Sequence, residues 1–254
     1  MLCINNKIDL VLVGPEEPLV KGIYDFFKKE KELRHIIITG PSAEGAKLEG
    51  SKAFAKTFMK RHNIPTASYK EFSADTFEEG LMYIKNHELP VVLKADGLAG
   101  GKGVLICQNF VEAMGEYELI IQKSKVGDAG KKMIVEKFLD GIELSVFILT
   151  DGKDYLLFPE AKDYKKIMEG DMGLNTGGMG AVSPVPFATD SFMEKVKEKI
   201  IKPTIQRLTQ EHIDNKGFIF FVLIKEDDEP MVFEYDFRQG DPENEAAFIA
   251  RRIG

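Results

Sequence analysis

Apolar and polar positions recur on two different periods along this chain. Residues 8–13 (IDLVLV) are a short apolar run ended by Gly14-Pro15, and they read as a buried parallel strand. Helical spacing follows over 18–29, with Leu19, Ile23 and Phe26 or Phe27 on one side, and residues 36–39 make a second short strand. Two strands and one helix are thin for an α/β layer, so residues 1–47 read either as a small domain or as the remnant of an N-terminal parallel α/β domain with further strands upstream. Ser51 is placed to cap a helix running to Arg61, whose apolar stripe is Phe54, Ala55, Phe58 and Met59. Asn63-Ile64-Pro65 ends it. A strand near 66–69, a helix over 75–86, strands at 91–95 and 104–107 and a helix over 110–123 form a second α/β block.

From Lys132 onward the period shortens to two. Residues 133–138, 143–150 and 155–161 are three strands in a row with short glycine-containing turns, Asp151-Gly152 being a hairpin signal, and they predict an antiparallel sheet. Residues 163–187 show little periodicity, and an irregular stretch of that length is usually functional or disordered. A helix over 190–211 carries Phe192, Val196, Ile200 and Ile205 on one face, with Pro203 as a bend. Residues 217–224 and 231–237 make a hairpin across the acidic turn 226–229, and a last helix starts near Pro242.

Composition narrows the class. Of 254 residues, 44% are hydrophobic and 30% charged, the balance of a globular chain rather than a disordered or membrane-spanning one. Lys and Arg number 34 against 41 Asp and Glu, a net charge of −7, which argues against a nucleic-acid partner while leaving small anions open. Two cysteines without a CxxC pair exclude a disulfide framework and a thiolate zinc site and fit a reducing compartment. No secretory leader and no membrane-length apolar run stand out, and the four histidines are scattered.

Four segments offer chemistry. Lys94-Ala95-Asp96-Gly97-Leu98-Ala99-Gly100-Gly101-Lys102-Gly103-Val104 passes from strand through a glycine-rich tip into strand. Glycine backbone there can close its N–H groups around phosphate oxygens, with Lys94 and Lys102 supplying charge. It is not a Walker A loop, since Gly103 stands where Ser or Thr would ligate magnesium, nor a dinucleotide fingerprint, since a strand follows. A plain flexible turn fits the loop equally. Glu136-Lys137-Phe138-Leu139, with Gly141 and Glu143 beyond, offers a strand edge to an adenine and a carboxylate to a ribose hydroxyl, though taken alone it is also an ordinary solvated face. Glu234, Asp236 and Arg238 share one face of a strand. Two carboxylates beside an arginine suit Mg²⁺ held against phosphates. The alternative, a surface salt-bridge row, fits poorly behind the apolar Met231-Val232-Phe233, because burying unpaired acids is costly. Asn175-Thr176-Gly177-Gly178-Met179-Gly180, preceded by Asp163-Tyr164-Lys165-Lys166, reads as an anion- or amine-recognising loop or, equally, as a linker.

In this order the four segments resemble an ATP-grasp enzyme, and in detail the phosphoribosylamine–glycine ligase (glycinamide ribonucleotide synthetase) family. The matching stretches are Gly14-Pro15-Glu16, Leu48-Glu49-Gly50-Ser51-Lys52, the loop 94–104, residues 136–143, 163–166, 175–180 with Ser183-Pro184, and 238–243, which span nearly the whole chain. The resemblance implies an α/β (α+β) ATP-grasp fold over 48–254, with a small ATP lid at about 65–137 and a central antiparallel part at about 138–254. It implies a cytoplasmic enzyme of purine biosynthesis that joins glycine to 5-phosphoribosylamine with ATP, through a glycyl phosphate, releasing ADP and phosphate. Residue by residue, it implies Lys52 and Lys94 on the ATP phosphates under Gly100, Gly101, Lys102 and Gly103. Glu136, Lys137 and Leu139 would line the adenine site and Glu143 the ribose. Glu234 and Asp236 would hold Mg²⁺ or Mn²⁺. Arg238, Lys165 and Asp163 make up the implied catalytic set, beside a substrate pocket of Asn175, Gly177, Gly178, Asp241 and Pro242.

The chain also departs from that family. The glycine-rich first strand–helix unit and the C-terminal domain have no counterpart, so the chain reads as a partial member. Asp236 stands where the family has Asn, adding a negative charge, and Gly100 replaces a usual Ala. A non-catalytic ATP-binding fragment and an ATP-grasp ligase for another amine acceptor are the competing readings, and the oligomeric state stays open. All of them require the flap around Lys102 and the acidic pair near the carboxyl end to face one triphosphate.

Overall fold

The computed structural model describes residues 2–97, 103–122, 131–176 and 178–253. It opens with a helical turn, α1 (Leu2–Asn5), and a parallel strand pair, β1 (Leu10–Leu12) and β2 (Ile37–Pro41), connected by α2 (Glu16–Val20) and α3 (Ile23–Lys29). The run predicted as one helix is two, because Gly22 adopts φ 81°, a left-handed conformation outside the helix that glycine takes without a Cβ penalty. β1 is parallel as expected but not buried. Val11 and Ile38 turn inward onto Leu19, Tyr24 and Phe27, and the strand period therefore turns Leu10 and Leu12 outward, 53% and 46% exposed.

Next comes α4 (Ala43–Gly50), capped by Ser42, whose side chain accepts from the Gly45 N–H at 3.3 Å. No apolar stripe announced it, since its buried side is Gly45, Ala46, Leu48 and Glu49. α5 (Lys52–Arg61) follows directly, and Ser51 caps it as predicted, accepting from the Phe54 N–H at 3.1 Å.

β3 (Tyr69–Ser73), α6 (Phe77–Lys85), β4 (Val91–Ala95), β5 (Val104–Cys107), α7 (Phe110–Ile121) and β6 (Lys132–Lys137) build an antiparallel sheet in the order β3-β6-β4-β5. Val91, Leu93 and Ala95 of β4 and Met133 and Val135 of β6 pack on Phe72, Ile84, Tyr117 and Ile120. Alternation then sends Lys94 and Glu136 out of the opposite face of the same sheet. β6 closes this sheet, so the three successive strands predicted from Lys132 onward do not form one sheet. The strand expected near 66–69 begins at Tyr69 instead. Thr66 bridges in parallel to Val232, with the Pro65 carbonyl accepting from the Val232 N–H at 2.8 Å.

The second sheet starts with β7 (Ile142–Thr150) and β8 (Tyr155–Leu157). The stretch predicted to be irregular holds two small ribbons, β9 (Lys162–Asp163) with β12 (Ala181–Val182) and β10 (Lys166–Met168) with β11 (Met172–Asn175). Strands of two to four residues are too short to display an alternation. α8 (Asp190–Val196) and α9 (Lys202–Gln210) are joined by a π-helical turn, Lys197–Ile201, in which the Lys202 N–H bonds to the Lys197 carbonyl. Pro203, which has no N–H to give, comes immediately after. β13 (Asn215–Glu226) and β14 (Glu229–Asp236) form the predicted hairpin, with Asp227 and Asp228 both at positive φ (47° and 64°), as a two-residue turn of the primed type requires. α10 (Glu243–Ile253) comes last.

β13 is the hub. It pairs antiparallel with β7 and β14 and, at Asn215 and Lys216, with β2, which joins the N-terminal strands to the same sheet. The main core lies against this sheet and includes Phe58, Leu144, Val146, Phe192, Val196, Phe221 and Tyr235, separate from the core of the first sheet. No described helix is long and apolar enough to cross a membrane.

Candidate active site

The two sheets meet around Lys94. Its side chain is 2% exposed, with Nζ 3.6 Å from the Phe233 ring centroid, donating to the Phe233 carbonyl at 3.3 Å and standing 3.1 Å from Glu136 Oε2. The other Glu136 oxygen is 2.8 Å from Lys56 Nζ, which donates to Thr66 Oγ1 at 2.6 Å. Two buried ammonium groups thus share one carboxylate, and the surplus positive charge favours an incoming anion. Burial pushes Lys56 down to about 8, with Glu136 opposing and Lys94 adding. Sequence reasoning missed Lys56, because a lysine one turn after Lys52 on an amphipathic helix passes for a solvent-facing residue. The only signal was its closeness to Ala55 and Met59 in the apolar stripe.

Lys52 Nζ stands 3.4 Å from Glu234 Oε1 and 3.5 Å from the Gly97 carbonyl. Asp96, at the foot of the glycine-rich turn, accepts from Ser51 Oγ at 3.0 Å and from the Ala53 N–H at 3.1 Å. Across the turn, the Ala95 N–H bonds to the Gly103 carbonyl at 2.8 Å. The start of α5 therefore anchors the foot of the turn beside Glu234, while Gly100, Gly101 and Lys102 lie outside the described residues. Lys52, Lys94, Glu136 and Glu234 line one small cavity of about 10 Å³, room for a single water molecule. Leu139 is buried with Ala67, Ile224, Met231 and Phe233, an apolar patch that adjoins Lys94 through the Phe233 ring. Lys137 is exposed.

Glu234 and Asp236 alternate along β14, and Arg238 follows the strand. Arg238 Nε is 2.8 Å from Glu49 Oε1 and 3.7 Å from Glu16 Oε2, and its Nη2 is 3.4 Å from Asp236 Oδ1. Glu49 Oε2 accepts from the Phe237 N–H at 2.9 Å. Glu49 is a second residue that the site predictions passed over, marked in the sequence only as an acid within a matching stretch. Burial raises the Asp236 carboxyl well above its ordinary value, Glu49 and Glu234 add to this, and Arg238 opposes it. Burial raises Glu49 too, against Arg238. Burial also works against the charge on Glu234, but Lys52, Lys94 and Lys165 outweigh it and hold that carboxyl low. Among the described residues no group of three or more His, Cys, Asp or Glu side chains is arranged to hold a metal ion. Two hard carboxylates on one strand, Glu234 held low by the lysines around it and Asp236 raised by burial, fit a divalent cation that completes its shell with phosphate oxygens and water.

The third part of the site is the ribbon region. Lys165 Nζ lies 2.6 Å from Glu143 Oε1 and 4.0 Å from Asp163 Oδ2. The Asp163 side chain is 3% exposed, and its Oδ1 has no hydrogen-bond partner among the described residues. Burial raises its carboxyl, with Lys165 opposing. Gly178 (φ 126°) is packed so closely that a Cβ there would lie 2.4 Å from Pro242 Cδ and 3.4 Å from Asp163 Oδ1. Thr176 Oγ1 donates to the Lys165 carbonyl at 2.8 Å and accepts from the Gly178 N–H at 3.1 Å. The Asn175 backbone pairs with Lys166 across β10 and β11, and Asp241 is exposed ahead of α10. Gly177 lies outside the described residues. Since Lys165 also acts on Glu234, this cluster and the acidic strand share one electrostatic environment.

Two sheets, one presenting the buried Lys94 and Glu136 and the other an acidic strand to a common cleft, define the ATP-grasp class. The same architecture is found in the biotin carboxylase domain of Hydrogenobacter thermophilus 2-oxoglutarate carboxylase, crystallised with MgADP, at a TM-score of 0.73 and 19% identity over 95% of this chain and 50% of that one. Within the class, the chain belongs to the phosphoribosylglycinamide synthetase family. The profile of that family's ATP-grasp (A) domain matches residues 50–244 and that of its N domain residues 1–49. Phosphoribosylamine–glycine ligase of Clostridium acetobutylicum is 45% identical over 94% of this chain and 56% of its own length. The crystal structure of the Thermotoga maritima ligase superposes at a TM-score of 0.78, with 36% identity over 88% of this chain and 55% of that one. The chain thus spans about half the length of the curated relatives it matches.

Proposed function

We propose that this chain binds Mg²⁺·ATP, or Mn²⁺·ATP, in the cleft between its two sheets and ligates glycine to 5-phosphoribosylamine, a step of purine biosynthesis in the cytoplasm. The observation that carries the reading is the cluster of Lys52, Lys94, Glu136 and Glu234, drawn from both sheets and α5 around one point, in a chain of this family. The surplus charge of Lys94 and Lys56 over Glu136 receives phosphate, and the patch around Leu139 and Phe233 receives the flat base. Residues 65–137 serve as a lid over it, with Gly100, Gly101, Lys102 and Gly103 above the phosphates. Lys137 stands with Leu139 at the base, and Glu143 faces the ribose. Glu234 and Asp236 would hold the metal ion, which when bound neutralises phosphate charge. Arg238 faces the transferred phosphoryl group.

Glycine sits among Asp163, Lys165, Asn175, Gly177, Gly178, Asp241 and Pro242. The unpartnered Asp163 Oδ1 is an acceptor for its ammonium group, and Lys165 a donor for its carboxylate. A glycine carboxylate oxygen attacks the γ-phosphorus and ADP leaves. The sugar amine then attacks the acyl carbon, loses a proton, and phosphate departs. A carboxylate is a poor electrophile until one oxygen becomes a leaving group, so the protein's work is positioning and charge neutralisation.

Purified chain should release phosphate only when ATP, glycine and 5-phosphoribosylamine are all present. Glu234→Ala should weaken Mg²⁺·ATP binding at least about tenfold, the loss of one charge-assisted contact, with an unchanged circular dichroism spectrum. Nucleotide binding without turnover would remove the ligation reading, and unaltered Mg²⁺·ATP affinity in the variant would remove the metal assignment.

A further inference from the structure

Glu49 lies in the last turn of α4 and is 6% exposed. Its chain neighbours fix it from both sides. Leu48 is buried in the main core, and a Cβ on Gly50 would lie 3.0 Å from Val20 Cγ2, so α4 packs tightly on α2. Glu49 Oε2 accepts from the Phe237 N–H at 2.9 Å, and Oε1 accepts from Arg238 Nε at 2.8 Å. Both oxygens are thus engaged by the end of the acidic strand, which is the geometry of a support rather than of a ligand. Arg238 has five N–H donors. The one on Nε goes to Glu49, one on Nη1 to the Gln239 carbonyl at 3.1 Å, and one on Nη2 to Asp236 Oδ1 at 3.4 Å. One donor on each terminal nitrogen remains for a phosphoryl oxygen. Glu16, from α2, is more distant from Nε at 3.7 Å.

The two acids nearest the guanidinium draw it in different directions. Asp236 is one of the two carboxylates assigned to the metal ion, and an arginine paired with it alone would cover the oxygen that the ion needs. The bond to Glu49 is the shorter of the two, and short charge-assisted bonds are the strong ones.

We infer that Glu49 is the positioning residue for Arg238. It holds the guanidinium by Nε, leaves the terminal nitrogens for the transferred phosphoryl group, and keeps the arginine from closing on Asp236. The inference rests on the ligation reading above and deepens it at the same site. Glu49 is also the last residue of the N-domain match, so that domain contributes a side chain to the phosphoryl transfer.

The test is phosphate release from ATP, glycine and 5-phosphoribosylamine by the wild-type chain, Glu49→Gln, Arg238→Met and the double variant. Glutamine keeps the length of the side chain and an oxygen for the Phe237 N–H, but carries no charge to hold the arginine. Glu49→Gln should lower kcat about ten- to a hundredfold, the loss of one charge-assisted hydrogen bond. It should also raise the Mg²⁺ concentration needed for half the maximal rate. Its affinity for Mg²⁺·ADP at saturating Mg²⁺ should be unchanged, because ADP lacks the transferred group. In the Arg238→Met background Glu49→Gln should have almost no further effect on kcat, since a residue acting through Arg238 has nothing left to act on. An acid that merely supports the fold would lower kcat by the same factor in both backgrounds. If Glu49→Gln keeps the wild-type kcat, or if the two losses multiply in the double variant, the inference is overturned while the ligation reading stands. An unshifted Mg²⁺ requirement overturns it whatever rate the double variant shows. If the wild type releases no phosphate, the ligation reading fails and the inference with it. Should Glu49→Gln not fold, Glu49→Asp, whose carboxylate stops one methylene short of Nε, replaces it in the same cycle with the same expectations.

Discussion

Lys56 holds a charge in a place where charge is expensive, and the carboxylate it shares with Lys94 is its nearest counter-charge. Its depressed pKa of about 8, against an ordinary 10.5, has two consequences of opposite sign. Between those values the unfolded chain binds more protons than the native one, so the Lys56 contribution to stability rises with pH across that window. Over the same window the cleft loses a positive charge, and affinity for ATP falls. Titrations from about pH 7 to 9.5 should show ATP binding weaken above about 8, and Lys56→Met should flatten that dependence. A wild-type affinity constant across the range would contradict this placement of charge. Glu49 teaches the same lesson in reverse, as an acid whose burial raises its pKa even with Arg238 at 2.8 Å.

At the scale of elements, the start of α5 does two jobs. Ser51 Oγ accepts from the Phe54 N–H to cap the helix and donates to Asp96 to hold the foot of the glycine-rich turn. Ser51→Ala should therefore cost about 1 kcal/mol as a lost cap. Thermal denaturation should show a Tm drop of roughly 2–4 °C for a chain of this size. The same variant should weaken ATP binding through the loosened turn, and a lower Tm with unaltered ATP affinity would separate the cap from the site. This element was legible from sequence because a cap and a helical stripe are both local. So were β4, β5 and the Asp227-Asp228 hairpin, where period or turn chemistry suffices. α4 was not, because its buried side is small and polar. Nor were the ribbons over 162–182, whose strands are shorter than the pattern needed to detect them.

For the whole molecule, the two cores are separate apolar clusters, and the buried Lys56–Glu136–Lys94 group lies between the sheets they support. A ligand that bridges Lys94 and Glu234 therefore ties one core to the other. Mg²⁺·ATP at about a hundred times its Kd should add about 2.7 kcal/mol of stability. That corresponds to a rise in Tm of roughly 5–10 °C, read by calorimetry. Lys94→Met should lose most of the rise, and a full shift in that variant would show that the nucleotide binds elsewhere.

The sequence by itself determined most of the longer strands and helices, the glycine-rich turn, the acidic alternation on the last hairpin and the resemblance to the family. All of these depend on residues a few positions apart, whose spacing is visible in one dimension. Only the tertiary structure decided that Lys52 and Lys94 meet Glu234 around one cavity, and that Gly178, Asp163 and Pro242 touch. It also decided that Lys56 and Glu49 are buried. A polar residue on a helix carries no mark of what will pack over it. Its electrostatic role arises only when distant segments exclude water from around it.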